Sequence, residues 1–185
     1  MPVTIRPATA SDLDGAAATL AAAFDAYPWT RWSIPQDGYP DRLRQLQRLY
    51  LGYALDEGIV LVDDDLRAVI ALLPPDAPEP AAGMQDEVAA LHGERLSVLA
   101  AADIPAQPAG AWNLATVGVH PDSQGAGLGG ATIEAGLAAV GDTAVGLETS
   151  DERNVRLYER AGFAVTAITR IERGPVVYSM LRHRS

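Results

Sequence analysis

The chain has neither cysteine nor lysine among its 185 residues. Without cysteine there is no disulfide framework, no cysteine zinc site and no thiol nucleophile or acyl-cysteine intermediate. Without lysine there is no Schiff base, no lysine-linked pyridoxal phosphate and no Walker-type phosphate loop. All 14 basic residues are arginine. Histidine is scarce too: His92, His120 and His183 include no pair at helical metal-ligand spacing, so no metal site is expected. No apolar run is long enough for a signal peptide or a membrane span, so a soluble cytoplasmic protein is the default. A formal net charge of −10 argues against nucleic-acid binding, which needs a basic face to neutralise phosphates.

What remains is an ordinary globular composition, 48% hydrophobic, with a length suited to one domain, residues 1–185. The charge is unevenly spread. Residues 1–110 hold 16 acidic and 7 basic side chains, and residues 111–185 hold 8 and 7. The acidic first half suits a cationic partner such as an amine, and the second half repels an anionic ligand less. The same acidity also serves plain solubility.

Residues 3–6 read as a short strand. Ser11-Asp12-Leu13-Asp14 resembles a capping box, and Leu13, Ala17, Leu20 and Phe24 form one apolar helical stripe running to about Ala26. Pro28 breaks that helix, and residues 29–39 read as an aromatic-rich loop. A helix over 40–55 and a hairpin of 58–62 with 66–73 around Asp63-Asp64-Asp65 follow. Residues 74–80 form a proline-stiffened connector, and 84–101 read as a third helix. Then come a strand over 111–119, a turn at 120–123, a glycine-rich stretch and a helix to Val140. A strand over 144–149, a helix over 154–161 ended by Gly162, and antiparallel strands over 163–171 and 176–182 complete the order. Strands mixed with helices around one sheet make the fold α/β or α+β.

The glycine stretch has three readings. Gly125-x-Gly127-x-x-Gly130 matches a dinucleotide fingerprint, but residues 120–124 separate it from the strand, and too little chain follows for a doubly wound domain. It could also be a tight turn and nothing more. The third reading takes Gln124-x-x-Gly127-x-Gly129 as the opening of a helix, where free backbone N–H groups and the positive helix end hold an anion. Main-chain donors suit a pyrophosphate in a chain without lysine.

Gln124-x-x-Gly127-x-Gly129, preceded by Ala115-Thr116-Val117-Gly118-Val119, resembles the acetyl-CoA motif of the GNAT acetyltransferase superfamily. Asn154, with residues 155–163 of sequence VRLYERAGF, is similar to its second signature. The resemblance implies a mixed, mostly antiparallel central sheet with a splayed strand pair, flanked by helices. It implies an acetyl-CoA-binding half over 111–185 and an acceptor-side half over 1–110. Acetyl-CoA would pair with backbone at Val117 and Val119, and its pyrophosphate would lie on Gln124, Gly125, Gly127, Gly129 and Gly130.

Asn154 and Tyr158 are four apart and share a helix face. The resemblance places Tyr158 beside the thioester sulfur as a general acid; by itself, without the motif, it reads as a half-buried core tyrosine. Glu148 is a candidate base or a plain strand-end carboxylate. Tyr27 and Trp112 are candidate walls of the acceptor pocket or core residues, and His120 is a turn residue. The expected reaction is direct acetyl transfer to a small-molecule primary amine. A polyamine, an amino acid or a protein N-terminus are alternative acceptors, and an inactive acyl-CoA-binding sensor is the alternative outside catalysis. Either a monomer or a homodimer is compatible with the exposed strand edges of such a fold.

Overall fold

The computed structural model describes residues 3–184. Seven strands form one sheet in the order β1-β2-β3-β4-β5-β7-β6. They are β1 (Ile5–Pro7), β2 (Ile59–Asp63), β3 (Ala68–Leu73), β4 (Trp112–Val119), β5 (Val145–Thr149), β6 (Ala164–Arg170) and β7 (Val176–Arg182). The helices are α1 (Leu13–Phe24), α2 (Pro28–Ser33), α3 (Tyr39–Glu57), α4 (Ala82–His92), α5 (Leu96–Ala100), α6 (Leu128–Val140) and α7 (Glu152–Arg160). Every strand pairing is antiparallel except β4 with β5.

β2 and β3 are almost wholly apolar because both of their faces are covered. Their side chains alternate between two cores. Val60, Val62, Val69 and Ala71 pack with Ala17 and Leu20 of α1 and Leu51 of α3. Leu61, Ile70 and Leu72 pack with Ile133 and Leu137 of α6 and with Leu147 of β5. A smaller cluster of Ile34, Tyr39, Leu43 and Leu46 sits against Val88 and Leu91 of α4.

Three elements differ from the sequence expectations. The first helix is entered through a 3-10 turn at Ala10–Asp12, and the residue pair at its start is Thr9 with Asp12. The Asp12 carboxylate accepts from the Thr9 backbone N–H at 2.8 Å and from both Arg6 guanidinium nitrogens at 2.8 and 3.0 Å. The expected pair began at Ser11, two residues further on; Arg6, from the strand before the helix, holds Asp12 in the observed one. The loop expected over 29–39 contains α2, because Pro28 takes the first helical position, where its missing N–H is harmless. The single helix expected over 84–101 is divided, because Gly93 turns the chain at φ +51 between α4 and α5.

The sheet opens at its centre. β4 and β5 pair only at Trp112–Val145 and Asn113–Gly146. Beyond that point β4 stays bonded to β3 as far as Val119, and β5 stays bonded to β7 through Thr149. Each strand is therefore held on its outer edge while the two inner edges part. The register against β3 also skips Ala115, since Ala71 faces Thr116 and Leu72 faces Leu114. Such a bulge bends its strand and raises the local twist.

Candidate active site

The parting strands open onto a cavity of about 580 Å³. Val117 of β4, Glu148 of β5, and Asn154 and Tyr158 of α7 line it, together with Tyr27. α7 is placed by Asp151, whose carboxylate caps the helix by accepting the Arg153 N–H at 2.9 Å. That start sets Asn154 and Tyr158 one turn apart on the cavity side.

Tyr158 is 6% exposed and meets Phe163 edge to face at a centroid separation of 5.9 Å. Among the described residues its hydroxyl has no protein hydrogen-bond partner. Burial pushes its pKa above the ordinary phenol value, and the neighbouring Tyr27 adds to the shift. Tyr158 therefore keeps its proton across the neutral range.

Glu148 stands exposed at the rim, where Gln107 donates an amide N–H to its carboxylate. Desolvation by the surrounding walls raises its pKa above the usual carboxylate value, and the bond from Gln107 opposes the shift. Tyr27 lies just before α2. Its hydroxyl accepts the Ser150 backbone N–H at 2.8 Å and shares a 2.9 Å hydrogen bond with Thr149 Oγ1. The Trp29 N–H donates to Ser150 Oγ at 3.0 Å, so the two segments are joined twice.

Trp112 is not among the cavity walls. It sits at the closed end of the splay, partly buried against the main core. Much of the remaining lining comes from residues the sequence did not single out. Tyr50 and Tyr53 of α3, His92 of α4 and Leu99 of α5 are among them. Their common role depends on helices distant in sequence, so no local pattern marks them. His92 is buried, with its Nδ1 2.7 Å from the Ser33 carbonyl.

The glycine stretch lies past the end of β4. Gly125 and Gly127 have φ of +85 and +79, conformations that L side chains rarely adopt. Gly127 is the N-cap of α6 and offers no side-chain acceptor, so the N–H groups of the first turn lack a capping partner. Gln124 turns back to donate to the Val119 carbonyl at 3.0 Å, pinning the loop to the strand. From Gly130 a second, open cavity of about 790 Å³ runs between α6 and α7, with Arg160 and Arg182 on its walls.

No family model matches the chain. Over 100% of its length it is similar to the solved structure of a histone acetyltransferase HPA2 and related acetyltransferase from Corynebacterium glutamicum, at 26% identity over 98% of that chain, with a TM-score of 0.79. It shares its fold with arylalkylamine N-acetyltransferase 2 from Aedes aegypti, at 11% identity, 99% coverage of both chains and a TM-score of 0.70. It shares it also with a chain of the NatC complex bound to Gag peptide and CoA, at 12% identity, 100% coverage of both chains and a TM-score of 0.55.

Proposed function

We propose that this chain, an acetyl-CoA-dependent N-acetyltransferase with the GNAT fold, transfers the acetyl group directly to a small-molecule primary amine with a bulky apolar body. The observation that carries the reading is the splay of β4 from β5, which opens a cavity lined by Tyr158, Glu148, Asn154 and Tyr27.

Acetyl-CoA enters as co-substrate. The backbone at Val117 and Val119 would pair with its pantetheine arm, and Asn154 faces the same cleft. The N–H groups of residues 124–130, Gln124, Gly125, Gly127, Gly129 and Gly130 among them, would receive the pyrophosphate. The cavity beginning at Gly130, whose walls carry Arg160 and Arg182 as well as Glu134 and Asp142, would extend this site toward the nucleotide end.

In the chemical step Glu148 takes a proton from the bound ammonium. The free amine attacks the thioester carbonyl, polarised by a backbone N–H near Val117, and the C–S bond breaks. Tyr158 then gives its proton to the leaving thiolate, and the phenolate regains one from the nitrogen of the new amide, which sheds its extra proton as the C–S bond breaks. From reference values of ~10 for a phenol and ~8.5 for a thiol, that transfer is uphill by roughly 2 kcal/mol. Burial raises the Tyr158 value further, yet the thiolate develops in the same poorly hydrated space, which makes it a stronger base as well.

The lining supports the acceptor class. Phe24, Tyr27, Trp29, Tyr50 and Tyr53 make the cavity aromatic, and Glu148 is its only carboxylate among the described residues. A polyamine would leave its further charges unpaired there. Among the described residues no arginine lines the cavity to receive the carboxylate of an amino acid. The chain resembles puromycin N-acetyltransferase in residues 19–24, Tyr27-Pro28, Ala111-Trp112, 114–119, 124–129, 147–150 and 158–160. A puromycin-like aminonucleoside is the acceptor this favours, and antibiotic resistance the corresponding role.

The test is acetyl-CoA turnover with puromycin, followed by product mass and free-thiol release. Acetylated puromycin is the expected product. Turnover of spermidine or a peptide N-terminus in its place overturns the acceptor class. Acetyl-CoA binding with no turnover on any amine overturns catalysis and leaves a sensor module.

A further inference from the structure

We infer that Gln107 is a positioning residue for the Glu148 carboxylate, and that the bare backbone of Gly146 is the slot that admits it. The inference rests on the proposed role of Glu148 as base.

Gln107 belongs to the irregular connector between α5 and β4 and is not one of the cavity walls. Its side chain is directed onto β5. The amide nitrogen donates to Glu148 Oε1, the one hydrogen bond that carboxylate makes among the described residues. Gly146 and Glu148 are two apart on a strand and therefore share a face. A Cβ at position 146 would lie 1.7 Å from Gln107 Oε1 and 2.6 Å from its amide carbon. The amide thus occupies the space a side chain at 146 would take. With Oε1 held, Oε2 is the oxygen left for an acceptor amine.

The chemistry of the donor matters. In a chain whose cations are all arginine, the partner of this carboxylate is a neutral amide. A guanidinium would orient Glu148 too, but it would stabilise the charged form strongly and weaken the base. An amide orients with a smaller effect of that kind. The other titratable groups on the cavity walls are Tyr27, Tyr50, Tyr53, His92 and Tyr158, and Ser179 of β7 sits opposite Glu148 in the sheet. None of these bonds the carboxylate.

The experiment compares Gln107→Ala, Gly146→Ala and the double variant with wild type. The Glu148 titration is followed by carboxyl 13C NMR, with Glu148→Gln identifying the resonance. Turnover is measured with acetyl-CoA and puromycin against pH. The Glu148 midpoint is expected to move to higher pH in Gln107→Ala, and the acid limb of kcat to move with it. At neutral pH kcat should fall about three- to tenfold, the scale of one ordinary net hydrogen bond, while KM for acetyl-CoA holds. Gly146→Ala should reproduce the shift by evicting the amide, and the double variant should be no worse than either single one. Unmoved midpoints in both single variants, with Glu148→Gln inactive, overturn the positioning role alone. Full turnover by Glu148→Gln overturns the base itself and the positioning role with it.

Discussion

The Tyr27 hydroxyl accepts a 2.8 Å hydrogen bond from the backbone N–H of Ser150, across 123 residues of sequence. The bond joins the segment before α2 to the turn that leaves β5 for α7. It therefore ties a wall of the cavity to the start of the helix that carries Asn154 and Tyr158. Tyr27→Phe strands a part-buried N–H and loosens that tie. A stability loss of about 1–3 kcal/mol is expected in chemical denaturation. A fall in kcat/KM of about tenfold should accompany it, because a small misplacement of reacting groups is enough.

Tyr158→Phe separates the acid from the scaffold. The ring keeps its packing against Phe163, and no protein hydrogen bond is lost among the described residues. Stability should stay within about 1 kcal/mol of wild type, while kcat falls by about 100-fold, the lower range for a lost general acid. Steady-state kinetics alongside a melting curve test both halves. Unchanged kcat assigns the tyrosine to the core alone.

Acid stability should depend on Asp12. The Arg6 fork, with the Thr9 N–H behind it, holds this carboxyl well below the usual carboxylate range. A carboxylate depressed on folding stabilises above its unfolded value near ~3.9, and the contribution fades as pH falls toward the folded value. Asp12→Asn should therefore show a shallower loss of stability below pH 4 than wild type. At pH 7 the variant should be about 1 kcal/mol less stable, as for a lost helix-start partner. Urea unfolding at the two pH values measures both.

Two helical glycines should respond in opposite directions. A Cβ at Gly52 of α3 meets no atom within 4 Å, so Gly52→Ala should stabilise by about 0.5–1 kcal/mol through helix propensity. A Cβ at Gly136 of α6 would lie 2.6 Å from Ile70 Cδ1 and 3.1 Å from Leu72 Cδ1, and both of those side chains are fully buried. Overpacking of about 1–3 kcal/mol exceeds the same propensity gain, so Gly136→Ala should destabilise. Melting temperatures of the two variants check the signs.

Periodicity and punctuation alone determined most of the elements. The stripe Leu13, Ala17, Leu20 and Phe24 is the face that α1 packs against the sheet, and the apolar runs of β2 and β3 are the doubly covered strands. Local spacing also sufficed to bring Asn154 and Tyr158 together, since one helical turn does so whatever surrounds it. The tertiary structure decided the rest. β7 lies between β5 and β6, although it follows β6 in the chain, because strand order is set by edge pairing and packing at a distance. The same distance hid the contacts of Tyr27 with Ser150 and Gln107 with Glu148. A periodic pattern records which way a residue faces; what it meets there depends on where remote segments come to lie, and only packing fixes that.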